Sequence, residues 1–510
     1  MSTANHSSRS AASSLLSNPF RRGAEGPPPQ NEVPLLFPGL LVLCVALIVL
    51  TSLAPLARLF SHVSIDYGEG WNAYWSAAAM ERAPLYSTAH VFASDNYPPL
   101  SFYVNGLLGT VIGDYIIAGR IVALASMLAV AVLIGCIVRI LGGPKRWAFA
   151  SAIVFILYNF LYFGQFVAVN NPQWLGQAIA LAGVLPLLRE QGNALRWRTV
   201  FLAAGAMILG GLVKHNQFAL PLAVSVWLVI RDRSAFAKWC FAGSALAALA
   251  CAALYLIYGP AIYAELISFK RTVDIVNFRA GLSKIGCLVP LACVGAISLR
   301  WRRADDRWML LALYAAFGLV LGALQRLGSG VYINAHYDAL IGLVILSGAF
   351  LGSAASGRIG VLQDRWARMA LLLAILFPLF LVAPRHVVRS ISDARDVPAQ
   401  EAIWSRMIAD VARAPDPALC EVLAVCYWAG KPLELDFFAY GQKLRTGTRP
   451  AALDHIIATR SARILILDRG FRRQTGYARL PAPFPALFQA HYRVVRTAPG
   501  EIDELVPRGS

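Results

Sequence analysis

Residues 64–75 read SIDYGEGWNAYW, and they follow closely on LLFPGLLVLCVALIVLTSLAPLA, residues 35–57, a run apolar enough to cross a bilayer. Two carboxylates, Asp66 and Glu69, therefore sit among glycines and large aromatics where a membrane helix ends. Charge at that depth is costly to keep, so its presence points to a task. Two tasks fit Asp66. It can cap the helix that WNAYW begins. It can also act as a general base, next to glycines that let a substrate approach the backbone. Glu69 is placed to assist it, to bind a metal or to hold an arginine.

The whole chain matches this beginning. Of its 510 residues, 57% are hydrophobic and only 15% charged, with a mean hydropathy of +0.57. Such a composition excludes a soluble protein and makes the chain a polytopic α-helical membrane protein. Apolar runs near 35–57, 114–138, 147–164, 174–188, 199–213, 217–230, 239–258, 283–299, 308–325, 332–352 and 367–384 predict about 11 transmembrane helices. Several fall short of the ~20 residues of a full crossing, which implies tilt, a break or extension into polar sequence.

The net charge of +18 calls for no nucleic acid, because the Lys and Arg fall in short clusters between apolar runs. With the N-terminus inside, the inside loops carry Arg139, Lys145 and Arg146, then Arg189, Arg196 and Arg198, then Arg231, Arg233 and Lys238. Arg300, Arg302, Arg303 and Arg307, and finally Arg358, Arg365 and Arg368, continue the pattern. The opposite loops are poorer in basic residues. This places the N-terminus in the cytoplasm, and SIDYGEGWNAYW and the C-terminus outside.

Residues 1–34, rich in Ser, Ala, Pro and Asn, read as a disordered cytoplasmic tail. Residues 35–384 form the membrane module, with a long first outside loop at 58–113. In that loop Trp71, Tyr74, Trp75 and Ala78 share one helical face, which predicts a helix lying in the membrane interface. Pro98 and Pro99 predict a rigid connector. Residues 385–504 have no spanning segment and predict a C-terminal periplasmic α/β domain, with a buried strand at ARILILD (462–468) and a helix at 451–461. The final LVPRGS, 505–510, reads as a protease-site remnant and is set aside. Cys420 and Cys426 lie in the outside domain. One shared extended strand would hold them too far apart for a disulfide, whereas a turn between them would allow one.

Further polar candidates stand at outside helix ends. Lys214 and His215 close the fifth span, where a cation suits the helix C-terminus or holds a phosphate. Arg279 and Arg326 are further candidates for a leaving phosphate. Asn170 and Asn171, in NNPQW, suit a polyol, and His336 and Tyr337 begin the tenth span, where polar groups mark a cavity. Tyr67 and Tyr97 complete the candidate substrate set. No Walker A loop, HExxH or CxxC is present. No cofactor is required, and a divalent metal is compatible with the acids but not implied.

Together, the acidic motif DYGEG (66–70) after the first span, PLY (84–86), NYPPL (96–100), GKPLELD (430–436), the long first loop and the outside C-terminal domain resemble the C-type (GT-C) membrane glycosyltransferases. Bacterial relatives of protein O-mannosyltransferases and of lipid A aminoarabinose transferase are the branch they most resemble. The resemblance implies a GT-C fold in the bacterial inner membrane. It further implies inverting transfer of a sugar from a polyprenyl-phosphate donor to a glycolipid, polysaccharide or protein acceptor at the periplasmic face. Asp66 is the base that it implies, with Glu69 as the neighbouring acid. One departure stands out: many relatives carry an Asp in the second outside loop, where this chain has GQFVAVNNPQW (164–174). Two other classes use many spans. A lipid-linked oligosaccharide polymerase or ligase would carry Arg and His in a large later loop. A lipid or sugar transporter would show repeat symmetry.

Overall fold

The computed structural model describes residues 35–87, 92–190, 195–301, 306–356, 364–447, 453–475 and 477–509; the side chains of residues 300 and 301 and the predicted tail at 1–34 lie outside the description. The chain begins with α1 (Leu36–Leu59), α2 (Tyr67–Glu81), α3 (Leu100–Ile112), α4 (Tyr115–Ile140) and α5 (Lys145–Tyr162). Then come α6 (Gln173–Ala182), α7 (Val184–Arg189), α8 (Trp197–Val213), α9 (Ala219–Arg231), α10 (Arg233–Tyr258), α11 (Ala261–Ser268) and α12 (Ile275–Ile285). The membrane module ends with α13 (Val289–Trp301), α14 (Asp306–Gln325), α15 (Tyr337–Ala355) and α16 (Arg365–Arg413).

Each predicted apolar run coincides with one of these helices or a consecutive pair. Among the described residues, seven helical segments are long and apolar enough to cross a membrane. α15 is the centre of the bundle, with 94% of its apolar window buried, whereas α10 at the rim has 6%. The sequence of α15 explains its place: a Cβ on Gly348 would lie 1.9 Å from Ser151 Oγ of α5, so only glycine permits that approach.

The last apolar helix does not stop at residue 384. α16 runs 49 residues, roughly 70 Å, straight through that boundary despite Pro384 and Pro398. Its first half is apolar; in its second half Trp404, Met407 and Val411 are buried against the C-terminal unit. A change of composition thus marks where the helix leaves its apolar surroundings, not where it ends.

The C-terminal unit contains β1 (Ala418–Cys420), α17 (Leu423–Trp428), α18 (Phe437–Arg445), α19 (Leu453–Ala458), β2 (Ile464–Asp468), α20 (Arg469–Thr475), α21 (Phe484–His491), β3 (Tyr492–Ala498) and β4 (Ile502–Pro507). Its four strands order as β1-β2-β4-β3, with β1 parallel to β2 and the other pairs antiparallel. The two-residue period of a strand divides the core. Cys420, Ile464 and Ile466 face α16, while Leu419 and Leu465 face Phe437, Phe484 and Phe488. The predicted strand at 462–468 and helix at 451–461 are present as β2 and α19. Leu505, in the terminal stretch set aside as a remnant, is buried in this core and pairs with Leu465, so residues 505–507 complete the sheet. A turn does separate the two cysteines, and Cys420 and Cys426 are bonded with their Cα atoms 5.9 Å apart.

The aromatic face of α2 is not laid on lipid as predicted. Trp71 and Trp75 are buried among Phe102 of α3, Ile262 of α11 and Leu423 of α17, and the Tyr74 hydroxyl donates to the Lys431 carbonyl. Protein covers that face because the C-terminal unit docks there.

Candidate functional site

Asp66 stands at the N-terminus of α2 with an extended backbone, and its Oδ1 accepts the Gly68 N–H at 2.8 Å. The capping role is real, and it uses one oxygen. Oδ2 has no hydrogen-bond partner among the described residues, so the carboxylate keeps an oxygen for a proton. Burial raises the Asp66 pKa above the usual carboxylate range; the Gly68 bond opposes this, the Glu69 charge adds to it, and the Arg479 and Lys214 cations pull it down.

Glu69 is fully buried, and its partner is Arg120 of α4, also at 0% exposure. Arg120 Nε donates to Glu69 Oε1 at 2.7 Å and Nη2 to Oε2 at 2.8 Å. The remaining guanidinium protons go to the carbonyls of Arg58, Ser61 and Val63. All five donors are satisfied, and the strand of chain from α1 to Asp66 is wrapped around one cation. Glu69 also accepts the backbone N–H of Ile65 and of Asn170. Arg120 was not singled out in the sequence. The signal was there: a lone Arg inside an apolar span must have a buried partner.

Asn170 extends this frame. Its side chain donates to the Glu69 carbonyl, its Oδ1 accepts from Asn105 of α3, and its own carbonyl accepts from Asn72 of α2. Asn171 instead accepts the Gln173 N–H and starts α6.

Lys214 ends α8 and is 6% exposed. Its ammonium lies 5.1 Å from the centroid of the Tyr97 ring, and among the described residues it has no hydrogen-bond or ion-pair partner. A buried ammonium without an ion-pair partner is costly to keep. His215, next to it, is exposed and feels the positive charge of Lys214 and Arg271.

The other predicted cations are not brought to Asp66. Arg279 is exposed on α12. Arg326 is buried, and its guanidinium donates to the carbonyls of Val331 and Asn277, an arrangement that closes a loop. His336 is buried against Gly322 of α14, and Tyr337 stacks on Trp174 with ring centroids 3.8 Å apart.

The C-terminal unit completes the site. The Tyr67 hydroxyl donates to Asp436 Oδ1 at 2.6 Å and accepts the Phe438 N–H. Arg479, absent from the candidates and carrying no sequence signal, lies 4.4 Å over the Tyr67 ring. Gly70 makes the docking close, since a Cβ there would lie 2.3 Å from the Ala424 nitrogen of α17. The GKPLELD run is this seam: Lys431 ties to Asp416 and the Ala414 carbonyl, and Asp436 takes Tyr67. Among the described residues, no group of three or more His, Cys, Asp or Glu could hold a metal ion.

No protein-family model and no curated protein matches the sequence. Solved structures do match. ArnT from Cupriavidus metallidurans bound to undecaprenyl phosphate superposes with a TM-score of 0.56 at 14% identity, over 92% of this chain and 98% of that one. The oligosaccharyltransferase of Archaeoglobus fulgidus, tethered to an acceptor peptide with the NVT sequon, gives 0.54 at 12% identity, over 92% of this chain and 74% of that one. Archaeal AglB from Archaeoglobus fulgidus with an inhibitory peptide and a dolichol-phosphate gives 0.51 at 11% identity, over 93% and 74%. Over 92% of its length, the chain shares its fold with ArnT and with the archaeal oligosaccharyltransferase.

Proposed function

We propose that this protein is an inverting glycosyltransferase that moves a sugar from a polyprenyl-phosphate donor to a hydroxyl or amine acceptor. The observation that carries the reading is the pairing of a half-buried carboxylate, Asp66, one of whose oxygens has no hydrogen-bond partner among the described residues, with a buried ammonium, Lys214, that has no ion-pair partner among them, within electrostatic reach of each other. One is suited to take a proton and the other to hold a phosphate. The fold shared with ArnT, whose structure holds undecaprenyl phosphate, supports the lipid-phosphate donor.

In this mechanism the donor phosphate sits on Lys214, and Asp66 Oδ2 takes the acceptor proton as its oxygen or nitrogen attacks the anomeric carbon from the face opposite the phosphate. The C–O bond to phosphate breaks, and the polyprenyl phosphate leaves with its charge met by Lys214. Glu69 and Asn170 hold the base in place. The basic loops support an orientation with the N-terminus in the cytoplasm and the site and C-terminal unit in the periplasm. Glycolipid, polysaccharide and protein acceptors all fit this chemistry.

The test is transfer of labelled sugar from a panel of synthetic polyprenyl-phosphate donors, with bacterial lipid extract as acceptor. The expected result is donor-dependent labelling that Asp66→Asn abolishes and that Lys214→Met weakens through the donor KM. Normal transfer by Asp66→Asn sinks the assignment of the base. No turnover of any donor by the folded protein sinks the reaction.

A further inference from the structure

Arg479 lies between α20 and α21, 4% exposed, and both its carboxylate partners belong to the C-terminal unit. Its Nη1 is 2.9 Å from Glu421 Oε1 and 3.1 Å from Asp468 Oδ2, and Glu421 Oε2 accepts the Asp468 N–H at 2.8 Å. These bonds fix the guanidinium on β1 and β2. Its faces then meet two aromatic rings, Phe471 of the same unit at 3.9 Å and Tyr67 at 4.4 Å. Only the second contact crosses to the membrane module, and it falls on the residue that follows Asp66. An arginine that served the C-terminal unit alone would need no ring from α2. A stacked planar cation is also a demanding fit, because Lys cannot reproduce it.

We propose that Arg479 is a positioning residue for Asp66. The C-terminal unit lays this guanidinium on the Tyr67 ring, which fixes the first turn of α2 and holds a buried positive charge within reach of the carboxylate. The charge has a second use. Glu421 and Asp468 would otherwise present two uncompensated carboxylates to the loop that carries the base. Asp66 lies within the field of Arg479. The kinetic side of the proposal rests on the glycosyltransferase reading, whereas the contact itself does not.

The experiment uses the full chain in detergent, comparing wild type, Arg479→Lys, Arg479→Met, Tyr67→Leu, Tyr67→Phe and the double variant Glu421→Gln/Arg479→Met. Two readouts are taken: hydrogen–deuterium exchange of residues 64–81, and the pH profile of sugar transfer. Arg479→Met is expected to speed exchange in 64–81 and to move the acid limb of the profile to higher pH, with a several-fold larger loss of rate at acid than at neutral pH. Arg479→Lys keeps the charge and is expected to keep the wild-type limb while still loosening 64–81. Tyr67→Leu removes the ring and also the hydroxyl's bonds to Asp436 and Phe438, so it is compared with Tyr67→Phe, which keeps the ring and loses only those bonds; the excess loosening in Tyr67→Leu reads the ring contact, and the double variant removes one buried carboxylate with its cation. Exchange in 64–81 no faster in Tyr67→Leu than in Tyr67→Phe, and as slow as wild type in the double variant, overturns the positioning role. An unmoved acid limb in Arg479→Met overturns the electrostatic one. If wild type transfers no sugar from any donor, the glycosyltransferase reading fails, and the exchange data still decide the contact.

Discussion

Removing Glu69 leaves Arg120 charged, fully buried and without an anion, which makes Glu69→Ala the most informative single substitution in this protein. The pair is bidentate at 2.7 and 2.8 Å with no solvent exposure on either side chain, so solvent screening does not reduce its effect. Breaking such a pair from one side costs about 3–5 kcal/mol, a large share of the net stability of most domains. The loss falls on a particular place, because Arg120 also gathers the carbonyls of Arg58, Ser61 and Val63 and so sets the path of the chain into Asp66. The expected outcome is a clear drop in the unfolding midpoint in detergent together with loss of sugar transfer. A double variant, Glu69→Leu with Arg120→Met, separates structure from chemistry. Replacing both charges with apolar groups of similar size is often neutral, so stability is expected to return. Transfer returns in part with it if Glu69 only positions Asp66, and stays lost if Glu69 acts on substrate. A Glu69→Ala protein as stable as wild type would refute the reasoning, since no buried cation could then have been left unpaired.

Four further outcomes are expected. Asp66→Asn keeps a cap for α2 and removes a carboxylate whose pKa burial has raised; a group shifted upward stabilises the fold below its unfolded pKa and loses that contribution as pH rises through the folded value, so at neutral pH the variant should be at least as stable as wild type while inactive. Wild-type transfer should for the same reason fall off on the acid side at a pH above the ordinary aspartate value of 3.8, which a pH–rate profile reads directly. Gly70→Ala forces a methyl to within 2.3 Å of the Ala424 backbone, and about 1–3 kcal/mol of destabilisation should appear as looser docking of the C-terminal unit in limited proteolysis. Cys420→Ser with Cys426→Ser removes the bond that closes the β1–α17 turn, on the order of 2 kcal/mol, and reductant should lower the unfolding midpoint of wild type but not of this variant.

How much was legible in the sequence depended on the range of the force involved. Apolar runs found the helices because the cost of exposing a backbone in lipid is local to each run. The two-residue period found β2, and DYGEG placed Asp66 at the right helix end. The sequence shows Lys214 as a cation at a helix terminus, but that it lacks an ion-pair partner among the described residues is a fact of its surroundings. For Glu69 the sequence offers three roles, assisting Asp66, binding a metal or holding an arginine; the last is present, but which arginine, 51 residues away in α4, is set by the fold. In sequence Arg326 is as available as Lys214, whereas in the fold its guanidinium is taken up by the carbonyls of Asn277 and Val331. Composition changes at residue 384 while α16 continues to Arg413, so the compositional boundary falls inside a helix.

By itself, the sequence determined a membrane-embedded helical chain, a carboxylate at the end of its first span and an α/β unit at its C-terminus. These follow from hydrophobicity and periodicity, which act over a few neighbouring residues. Only the tertiary structure decided which charges are engaged and which are free. Glu69 belongs to Arg120, Arg326 belongs to its loop, Lys214 has no ion-pair partner among the described residues, and Arg479 arrives over Tyr67 from the other end of the chain. The work a charge can do is set by its burial and its neighbours within a few ångströms, and in this fold those neighbours are tens to hundreds of residues distant in sequence.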